Sequence, residues 1–312
     1  MSNQALYLDQ ALTDVSNAWF NDDADFIADK IFPEVLVKKP TFKVGKYGKD
    51  GLRLPTNSLR TGESKAQRIN LTRGYDDIGP LQEHALSDVV TADDYNLTDD
   101  PFSPEADTVE NINEVMRLID EKDLAKNLSD VNIVTQNDTL SGTDQWSDYE
   151  NSDPLADIVA GVKTGKFVKY NTIFMGAEVW LTLTQHPKLL ARVTPSQLGV
   201  LTQEIFLKLL EPYGIKNMHI GQARENTGKE GLADNIESVW GRNFWLGYVT
   251  DRPGRKRVNG GYKFRLENAR RVTKEQKNNP PVTEIVNTDF YGHFLLSTEC
   301  FYLIKNAVAP AA

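Results

Sequence analysis

Apolar residues recur at helical spacing between residues 99 and 130, and this pattern predicts the longest helix of the chain. The stripe consists of Val109, Ile112, Met116, Ile119, Leu124 and Leu128. Ser103 is a suitable N-cap, and Pro104 suits the first helical position because it has no amide proton to leave unpaired. A helix of about 25 residues is roughly 37 Å long. Since most of its acidic residues lie off the stripe, we expect one face to cover a sheet and the other to face outward.

From residue 167 onward, short apolar runs alternate with helical segments, which predicts an α/β region. The predicted strands cover residues 170–175, 217–221, 239–249 and 262–266, and the predicted helices cover residues 176–184 and 201–210. A short helix is predicted from Pro154 to Lys163, after a polar loop at 131–151. Residues 282–305 alternate between apolar and polar positions, and we expect a terminal hairpin that returns to the long helix.

Residues 36–73 combine glycines with short alternating stretches, which predicts a long two-stranded hairpin. Its apolar residues are too few for a core of its own, so the hairpin should project from the body. Residues 1–25 are polar and acidic and predict an extended arm. The arm would be anchored by Phe26, Ile27, Ile31 and Phe32, before Pro33 ends any helix and a strand begins near Val35.

Charge is unevenly distributed along the 312 residues. The formal net charge is −9, which argues against a protein built mainly to grip DNA, because phosphate binding needs a basic face. Residues 36–73 carry ten basic and two acidic residues, net +8, whereas residues 74–160 carry three basic and 22 acidic residues, net −19. Two such blocks can simply stay solvated, or they can pair within one chain or between copies.

No arrangement of residues typical of an active site is present. The four histidines do not form HExxH or HxH, and the segment GVKTGK at 161–166 lacks the spacing of a phosphate loop. Two acidic groups, at 93–100 and 144–153, lack the order of an EF-hand, and the lone Cys300 is expected to be a core residue. We therefore predict no cofactor and no metal. No apolar run approaches the roughly 20 residues of a membrane span, so no membrane partner is expected.

Four stretches together resemble one family. They are FIADKIFPEVLVKK (26–39), LPTNSLRTGESKAQR (54–68), SPEADTVENINEVMRLIDEKDLAKNL (103–128) and NTIFMGAEVWLTLTQHPKLLARV (171–193). In order and character they resemble the joint to the extended loop, the return of that loop, the spine helix and the start of the axial domain of tailed-phage major capsid proteins. These proteins have the Hong Kong 97-type fold, and the likeness covers most of the chain.

The resemblance implies an α+β fold with an arm, an extended β-hairpin loop, a peripheral domain with the spine helix and a sheet, and an α/β axial domain. The corresponding ranges are 1–35 for the arm, 36–78 for the loop, 79–166 for the peripheral domain, 167–265 for the axial domain and 266–312 for the return to the peripheral domain. The implied function is structural and not enzymatic: pentamers and hexamers would form an icosahedral head around double-stranded DNA, assembled in the host bacterial cytoplasm.

The family's extended loop lies over a neighbouring subunit, and the charge blocks suggest where it would rest. We predict that the basic hairpin contacts the acidic side of a neighbour's long helix. The hairpin cations are Lys43, Lys46, Lys49, Arg53, Arg60, Lys65 and Arg68, preceded by Lys38 and Lys39, and the helix acids are Glu110, Glu114, Asp120, Glu121 and Asp123. Some relatives join a loop lysine covalently to an asparagine, a part that Lys46 or Lys49 could play, although no asparagine or assisting acid can be assigned.

The partners implied by the resemblance are copies of the chain, a portal protein at one vertex, separate scaffolding and decoration proteins where these exist, and packaged DNA, which would be touched weakly. Two other functions stay open. A shell of the same fold could enclose protein cargo, as encapsulins do, although residues 1–25 resemble an extended arm and not the first helix of an encapsulin. A soluble enzyme could instead use the acidic groups to bind a metal.

Overall fold

The computed structural model describes residues 7–8, 26–47, 53–54, 58–59, 62, 65, 73–97, 103–193, 200–229, 231, 233–250 and 259–310. Within these ranges the helices are α1 (Ala28–Ile31), α2 (Ala92–Leu97), α3 (Pro104–Ser129), α4 (Pro154–Thr164), α5 (Ala177–Gln185), α6 (Pro187–Leu190) and α7 (Gln203–Leu210). Three short 3-10 turns cover Gly142–Asp144, Glu211–Tyr213 and Thr298–Cys300. None of the described helices is long and apolar enough to cross a membrane.

The strands form two large sheets and two small ribbons. They are β1 (Tyr7–Leu8), β2 (Glu34–Val37), β3 (Phe42–Tyr47), β4 (Arg73–Ile78), β5 (Gln82–Thr91), β6 (Asn137–Thr139), β7 (Thr172–Gly176), β8 (Asn217–Gly221), β9 (Arg224–Asn226), β10 (Ile236–Ser238), β11 (Phe244–Gly247), β12 (Gly261–Leu266), β13 (Arg271–Asn278), β14 (Pro281–Leu295) and β15 (Phe301–Lys305). One sheet has the order β1-β13-β14-β12-β2, with β5 also paired to β14, and the other has the order β6-β15-β11-β7-β8.

The long helix is α3, and its predicted start is confirmed. The Ser103 hydroxyl accepts a hydrogen bond from the backbone N–H of Ala106, and Pro104 is the first helical residue. The helix packs across β5 and β14. Its first half meets them through a small apolar cluster that contains Val109, Ile112, Met116, Val90 and Ile285. The strand β5, which the sequence pattern did not single out, is therefore part of the sheet surface against which the helix packs.

The five-stranded sheet contains the predicted strands β7, β8 and β11, and helices α4, α5 and α7 also lie where they were predicted. The Asp153 side chain caps α4, and His186 separates α5 from α6. Residues 131–151 were predicted as a polar loop. They instead contribute the edge strand β6 and bury Trp146, whose indole N–H donates to Asp157 at 2.8 Å.

One strand assignment from the sequence is wrong. Residues 282–305 do not form one terminal hairpin, because β14 lies in the six-stranded sheet and β15 lies between β6 and β11 in the other. The predicted strand at 262–266 is present as β12, and it pairs with β14 and, in parallel, with β2. An alternating pattern predicts a strand and its two faces, but it carries no information about which strand will be the neighbour.

The segment before the hairpin is anchored as predicted. Ile27, Ile31 and Phe32 are buried around α1, and β2 follows Pro33. The predicted boundary between residues 35 and 36 falls inside β2, so the division into domains stays a prediction. Of the predicted arm, residues 7–8 pair with β13, and the rest of residues 1–25 lies outside the described ranges.

Candidate inter-subunit contact surfaces

The two ends of the predicted hairpin are paired. The strands β3 and β4 are antiparallel, with Phe42 opposite Ile78 and Tyr47 opposite Arg73. The base is seated on the six-stranded sheet, where Ile78 is buried and the rings of Phe42 and Phe264 lie 4.8 Å apart. The hairpin therefore leaves the body from a fixed base, since its first residues share an apolar cluster with the sheet.

The predicted hairpin cations that the structure describes are on the surface. Lys43, Arg53 and Lys65 are exposed, as are Lys38 and Lys39 at the base. Lys43 is paired within its own hairpin, with its ammonium 3.1 Å from Asp77 on the opposite strand. The side chains of Lys46, Lys49, Arg60 and Arg68 lie outside the described part of the chain.

The predicted acidic surface of the long helix is only partly correct. Glu114 and Asp123 are exposed and Glu110 is half-buried, whereas Asp120 and Glu121 are 6% and 1% exposed. Those two acids cannot meet a neighbouring subunit in this conformation, because both point into the molecule. The sequence prediction placed them outside because the acidic residues of the helix lie largely off its apolar stripe, and it could not include the buried partners that offset the cost of burial.

Asp120 lies at the centre of a buried charged cluster. The Lys263 ammonium is 2.6 Å from one Asp120 oxygen and 3.0 Å from Asp29, and His293 Nε2 is 3.2 Å from the other Asp120 oxygen. Burial opposes ionisation of Asp120, but the Lys263 charge and His293 hold the pKa of the carboxyl below its usual range. Burial lowers the pKa of His293, with Asp120 opposing. The core of this cluster is therefore an ion pair between a helix and a strand.

A second pair extends the cluster toward the hairpin. The Arg265 guanidinium lies 2.7 Å from Glu34 on β2 and 3.1 Å from Asp289 on β14. Together the charged cluster comprises Asp29, Glu34, Asp120, Lys263, Arg265, Asp289 and His293. The segment 26–37, which leads into the hairpin, is thus held to the sheet by its carboxylates as well as by its apolar residues.

Sequence reasoning missed Lys263 and Arg265. In β12 they alternate with the apolar Tyr262 and Phe264, and this pattern is typical of a strand with one solvent-exposed face. Both faces are in fact covered, and Lys263 is 1% exposed. The sequence contains no clear signal of this burial, because a lysine in an alternating strand, with Glu267 four residues away, is equally typical of an exposed position.

Glu121 joins three parts of the chain. One carboxylate oxygen accepts from the N–H of Ile27 at 2.8 Å and from the indole N–H of Trp240 at 2.5 Å, and the other accepts from the N–H of Ala28 at 2.8 Å. Burial raises the pKa of Glu121 to about 7, and these three donors act in the opposite direction. Glu121 therefore caps α1 and fixes the start of the segment that carries the hairpin.

The outward side of the long helix is not uniformly acidic. Glu114 and Asp123 are nine residues apart, about two and a half turns, so they lie on opposite sides of the helix. Between them, Val115 and Ile119 are exposed to 48% and 36%, one turn apart. Ile119 was predicted to belong to the buried stripe and lies instead on this outer surface. The structure thus presents an apolar strip, Val115 and Ile119, with an acid on either side.

A buried serine–histidine pair exists but lacks the arrangement of a nucleophile and base. His186 Nδ1 accepts from the backbone N–H of Lys188, which assigns the ring proton to Nε2. Nε2 then donates to the Ser152 hydroxyl at 3.1 Å, and the hydroxyl donates to the Asp148 carbonyl at 2.6 Å. Burial lowers the pKa of His186, followed by the effect of Lys188. The pair connects α4 to α6.

Cys300 is buried as predicted, and burial raises the pKa of its thiol to about 11.

Within the described residues, no group of three or more histidine, cysteine, aspartate or glutamate side chains is arranged to hold a metal ion. Asp99 and Asp100, from one of the two acidic groups considered above, lie outside those residues.

The fold is that of phage capsid proteins. A phage-related protein from Bordetella bronchiseptica superposes with a TM-score of 0.74 at 24% identity, over 99% of this chain and 100% of that one. The capsid of Cyanophage P-SCSP1u gives a TM-score of 0.58 at 9% identity, over 91% and 89% of the two chains. The described part of this chain combines helices with largely antiparallel sheets, which agrees with the predicted α+β class.

Sequence similarity points to one kind of capsid protein. The major capsid protein of Burkholderia phage BcepMu is 28% identical over 318 residues, which covers 96% of each chain. No protein-family model matches the chain. The resemblance to tailed-phage major capsid proteins, predicted above from four stretches, is confirmed by this full-length similarity together with the shared fold.

Proposed function

We propose that this protein is the major structural subunit of a tailed-phage head, with the Hong Kong 97-type arrangement of domains. Copies would assemble into pentamers and hexamers that close an icosahedral shell around double-stranded DNA, within the host bacterial cytoplasm. The observation that carries the proposal is similarity to a phage major capsid protein along 96% of both chains, combined with the capsid fold. A structural role also agrees with the buried, hydrogen-bonded state of His186 and Ser152.

Assembly of the purified protein tests this function directly. We expect closed shells or rings of five and six subunits in electron micrographs, and a matching mass by size exclusion with light scattering. A monomer of uniform size at every salt and protein concentration would contradict the proposal.

The encapsulin alternative predicts the same particles with different contents. Nucleic acid inside purified particles would favour the phage head, and co-purified protein cargo would favour the compartment. The metal-dependent enzyme is tested separately by metal analysis of the purified protein with and without chelator.

We propose that the hairpin contacts the outer side of a neighbour's long helix. Asp120 and Glu121 no longer belong to this surface, which leaves Glu110, Glu114 and Asp123 around the strip of Val115 and Ile119. Each exposed ion pair contributes only about 0–1 kcal/mol, but repeated pairs can set register and the rate of encounter. The attraction should weaken at high salt, since the Debye length is about 8 Å at physiological ionic strength.

Charge reversal tests this contact. The triple change Lys43→Glu, Lys46→Glu and Lys49→Glu should slow assembly while the subunit stays folded by circular dichroism. Adding Glu110→Lys and Glu114→Lys in the same chain should restore part of the rate. Normal assembly of the triple variant at low salt would show that this charge pairing has no role.

Contact with packaged DNA is proposed to be weak, because the net charge is −9 and residues 1–25 contain no lysine or arginine. A genome that must slide during packaging and ejection is hindered by a tight grip. Filter binding should show affinity of about micromolar or weaker that is lost as salt rises. Tight, sequence-selective binding by the free subunit would contradict this weak contact.

A portal protein and separate scaffolding or decoration proteins remain the partners expected from the resemblance.

A further inference from the structure

The strand β5 is paired on one side only, and its hydrogen bonds show which backbone groups point away from the sheet. In an antiparallel pair, alternate residues direct their N–H and C=O toward the partner strand or away from it. The N–H of Val89 donates to the Asp88 carboxylate at 2.8 Å, and the N–H of Thr91 donates to Asp94 at 2.8 Å. Both amides therefore point away from β14. Residues of the same parity, Ala85 and Ser87, must point the same way.

The neighbouring strand gives an independent check of this direction. Ser87 lies opposite Val286 on β14. The Val286 carbonyl accepts from the Thr273 hydroxyl on β13, at 3.5 Å, so Val286 faces β13 and not β5. In an antiparallel ladder the residue opposite must then face outward from β5, as inferred.

Along the outer edge of β5, side chains occupy the outward backbone amides in only one half of the strand. At Val89 and Thr91 a carboxylate occupies the outward amide. At Glu83, Ala85 and Ser87 the strand is exposed, and among the described residues it pairs with no strand other than β14. An exposed strand edge is a template for the addition of another strand.

We propose that the outer edge of β5 from Glu83 to Ser87 is a docking site for an extended, basic strand supplied by the hairpin of a second copy of this chain. The inference rests on the proposed shell function, and it differs from the helix contact described above in using backbone hydrogen bonds. An added strand would place its amides and carbonyls opposite those of Ala85 and Ser87.

The charge near the edge of β5 indicates which segment of a second copy would bind there. Residues 82–97 contain Glu83, Asp88, Asp93 and Asp94 but no lysine or arginine. The arm, residues 1–25, contains five aspartates and no basic residue, so it would be repelled by this edge. Residues 36–73 carry net +8 and suit it. Glu83 also lies 3.8 Å from Arg271, which leaves Asp88, Asp93 and Asp94 as the main source of the negative field.

A groove of about 300 Å³ opens near the start of β5. It lies between the first residues of β5, the end of β14 and the second half of the long helix, and its lining includes Gln82, His84, Asp123, Lys126 and residues 291–294. Since successive side chains of a strand point to opposite faces, every second side chain of the incoming strand would lie on the face of the sheet that carries the long helix.

Proline substitution tests the docking edge. Proline removes an amide proton, and an edge strand tolerates it where that proton points outward. Ala85→Pro and Ser87→Pro should therefore fold, as judged by circular dichroism and thermal unfolding, but assemble about tenfold more slowly or worse. Ser87→Ala and Val89→Pro are the matched controls and should assemble normally, because the first keeps the amide and the second alters one already bound to Asp88. Normal assembly of both test variants would overturn the docking edge.

Disulfide formation tests whether the hairpin is the segment that binds the edge of β5, and this test uses no proline variant. Copies carrying Ala85→Cys are mixed with mass-labelled copies carrying Lys43→Cys or Arg53→Cys, and native Cys300 is buried. A mixed disulfide between the two kinds of copy during assembly is the expected result, and its absence from assembled particles would overturn the hairpin as occupant. Failure of the wild type to assemble at all would contradict the shell function, whereas wild-type assembly with negative proline and disulfide results would contradict only the docking edge.

Discussion

Two parts of the interior hold the molecule together by different chemistry. Around the five-stranded sheet the core is apolar and aromatic, with Trp146, Ile173, Phe244 and Leu246 all fully buried. Beneath the middle of the long helix, around Asp120, the corresponding place is taken by the charged cluster, in which the Lys263 side chain is 2% exposed. Both regions pack helices on a sheet, yet one depends on the area removed from water and the other on matched charges.

The two regions differ in how strictly they determine which elements pack together. Apolar side chains accept many neighbours of suitable size, so an apolar core stabilises a layer without fixing every partner. A buried charge tolerates only its counter-charge, because an unpaired ion in the interior costs several kcal/mol. The charged cluster connects residues 29–34, 120, 263–265 and 289–293, and it therefore fixes how the hairpin base, the long helix and the sheet meet.

Removing one member of the central ion pair should have the largest effect. Asp120→Ala leaves the Lys263 ammonium buried beside Asp29 alone, so we expect a loss of about 3–5 kcal/mol in the free energy of unfolding. The double change Asp120→Leu and Lys263→Met should recover most of that loss, because both buried charges of the pair are removed and Asp29, which also loses Lys263, has a side chain that is 39% exposed to water. Chemical denaturation of Asp120→Ala, of Asp120→Leu and Lys263→Met separately, and of the double variant measures this. Equal stability of the single and double variants would show that the pair is not an electrostatic unit.

The buried acid beside the cluster should give the next largest effect, as a dependence on pH. The pKa of Glu121 is raised from 4.5 to about 7 in the folded state, so the folded protein holds this proton more tightly than the unfolded chain. Stability from this group is present below pH 4.5 and is lost as the pH rises toward 7. Relative to Glu121→Gln, the free energy of unfolding of the wild type should fall by about 3 kcal/mol over that range.

Denaturation curves between pH 4.5 and 7.5 would measure the difference. Glu114→Gln, an exposed change on the same helix, serves as the control and should follow the wild-type curve. A wild type and a Glu121→Gln variant with parallel pH profiles would remove Glu121 as a titrating group in this range.

The apolar region should respond to size and not to charge. A methyl group at Gly161 in α4 would lie 2.7 Å from Tyr302 and 2.8 Å from Leu246. Alanine normally favours a helix over glycine, but here overpacking should lower the free energy of unfolding by about 1–3 kcal/mol. Thermal unfolding of Gly161→Ala alone and with Leu246→Ala tests this. A more stable Gly161→Ala variant would mean that the core around α4 can expand.

The smallest effect is expected at the surface pair of the hairpin. Lys43 and Asp77 are 67% and 78% exposed, so breaking their ion pair should change the stability of the isolated subunit by about 0–1 kcal/mol. A double-mutant cycle with Lys43→Ala and Asp77→Ala, at low and high salt, measures the coupling. A coupling near that of Asp120 and Lys263 would abolish the contrast between surface and buried charge.

Local signals in the sequence predicted several elements correctly. Ser103 and Pro104 marked the start of the long helix, His186 the end of α5, and Ile27 and Phe32 the anchor before the hairpin. Each depends on residues close together in the chain, whose preferences act before any tertiary contact forms. The predicted contact surface was less successful, because Asp120 and Glu121 were assigned to the outside together with the other acids, as residues off the apolar stripe.

The sequence by itself determined the start of the long helix and the helices and strands of the α/β region, that a basic hairpin precedes an acidic helix, and that the chain resembles phage capsid proteins. Only the tertiary structure decided that β14 and β15 belong to different sheets, that Lys263 meets Asp120 in the interior, and that the amides of Ala85 and Ser87 face outward. The physical reason is distance along the chain. Helix caps and alternating strands are set by neighbours a few residues away, whereas Lys263 and Asp120 are separated by more than a hundred residues and become partners only when two layers pack.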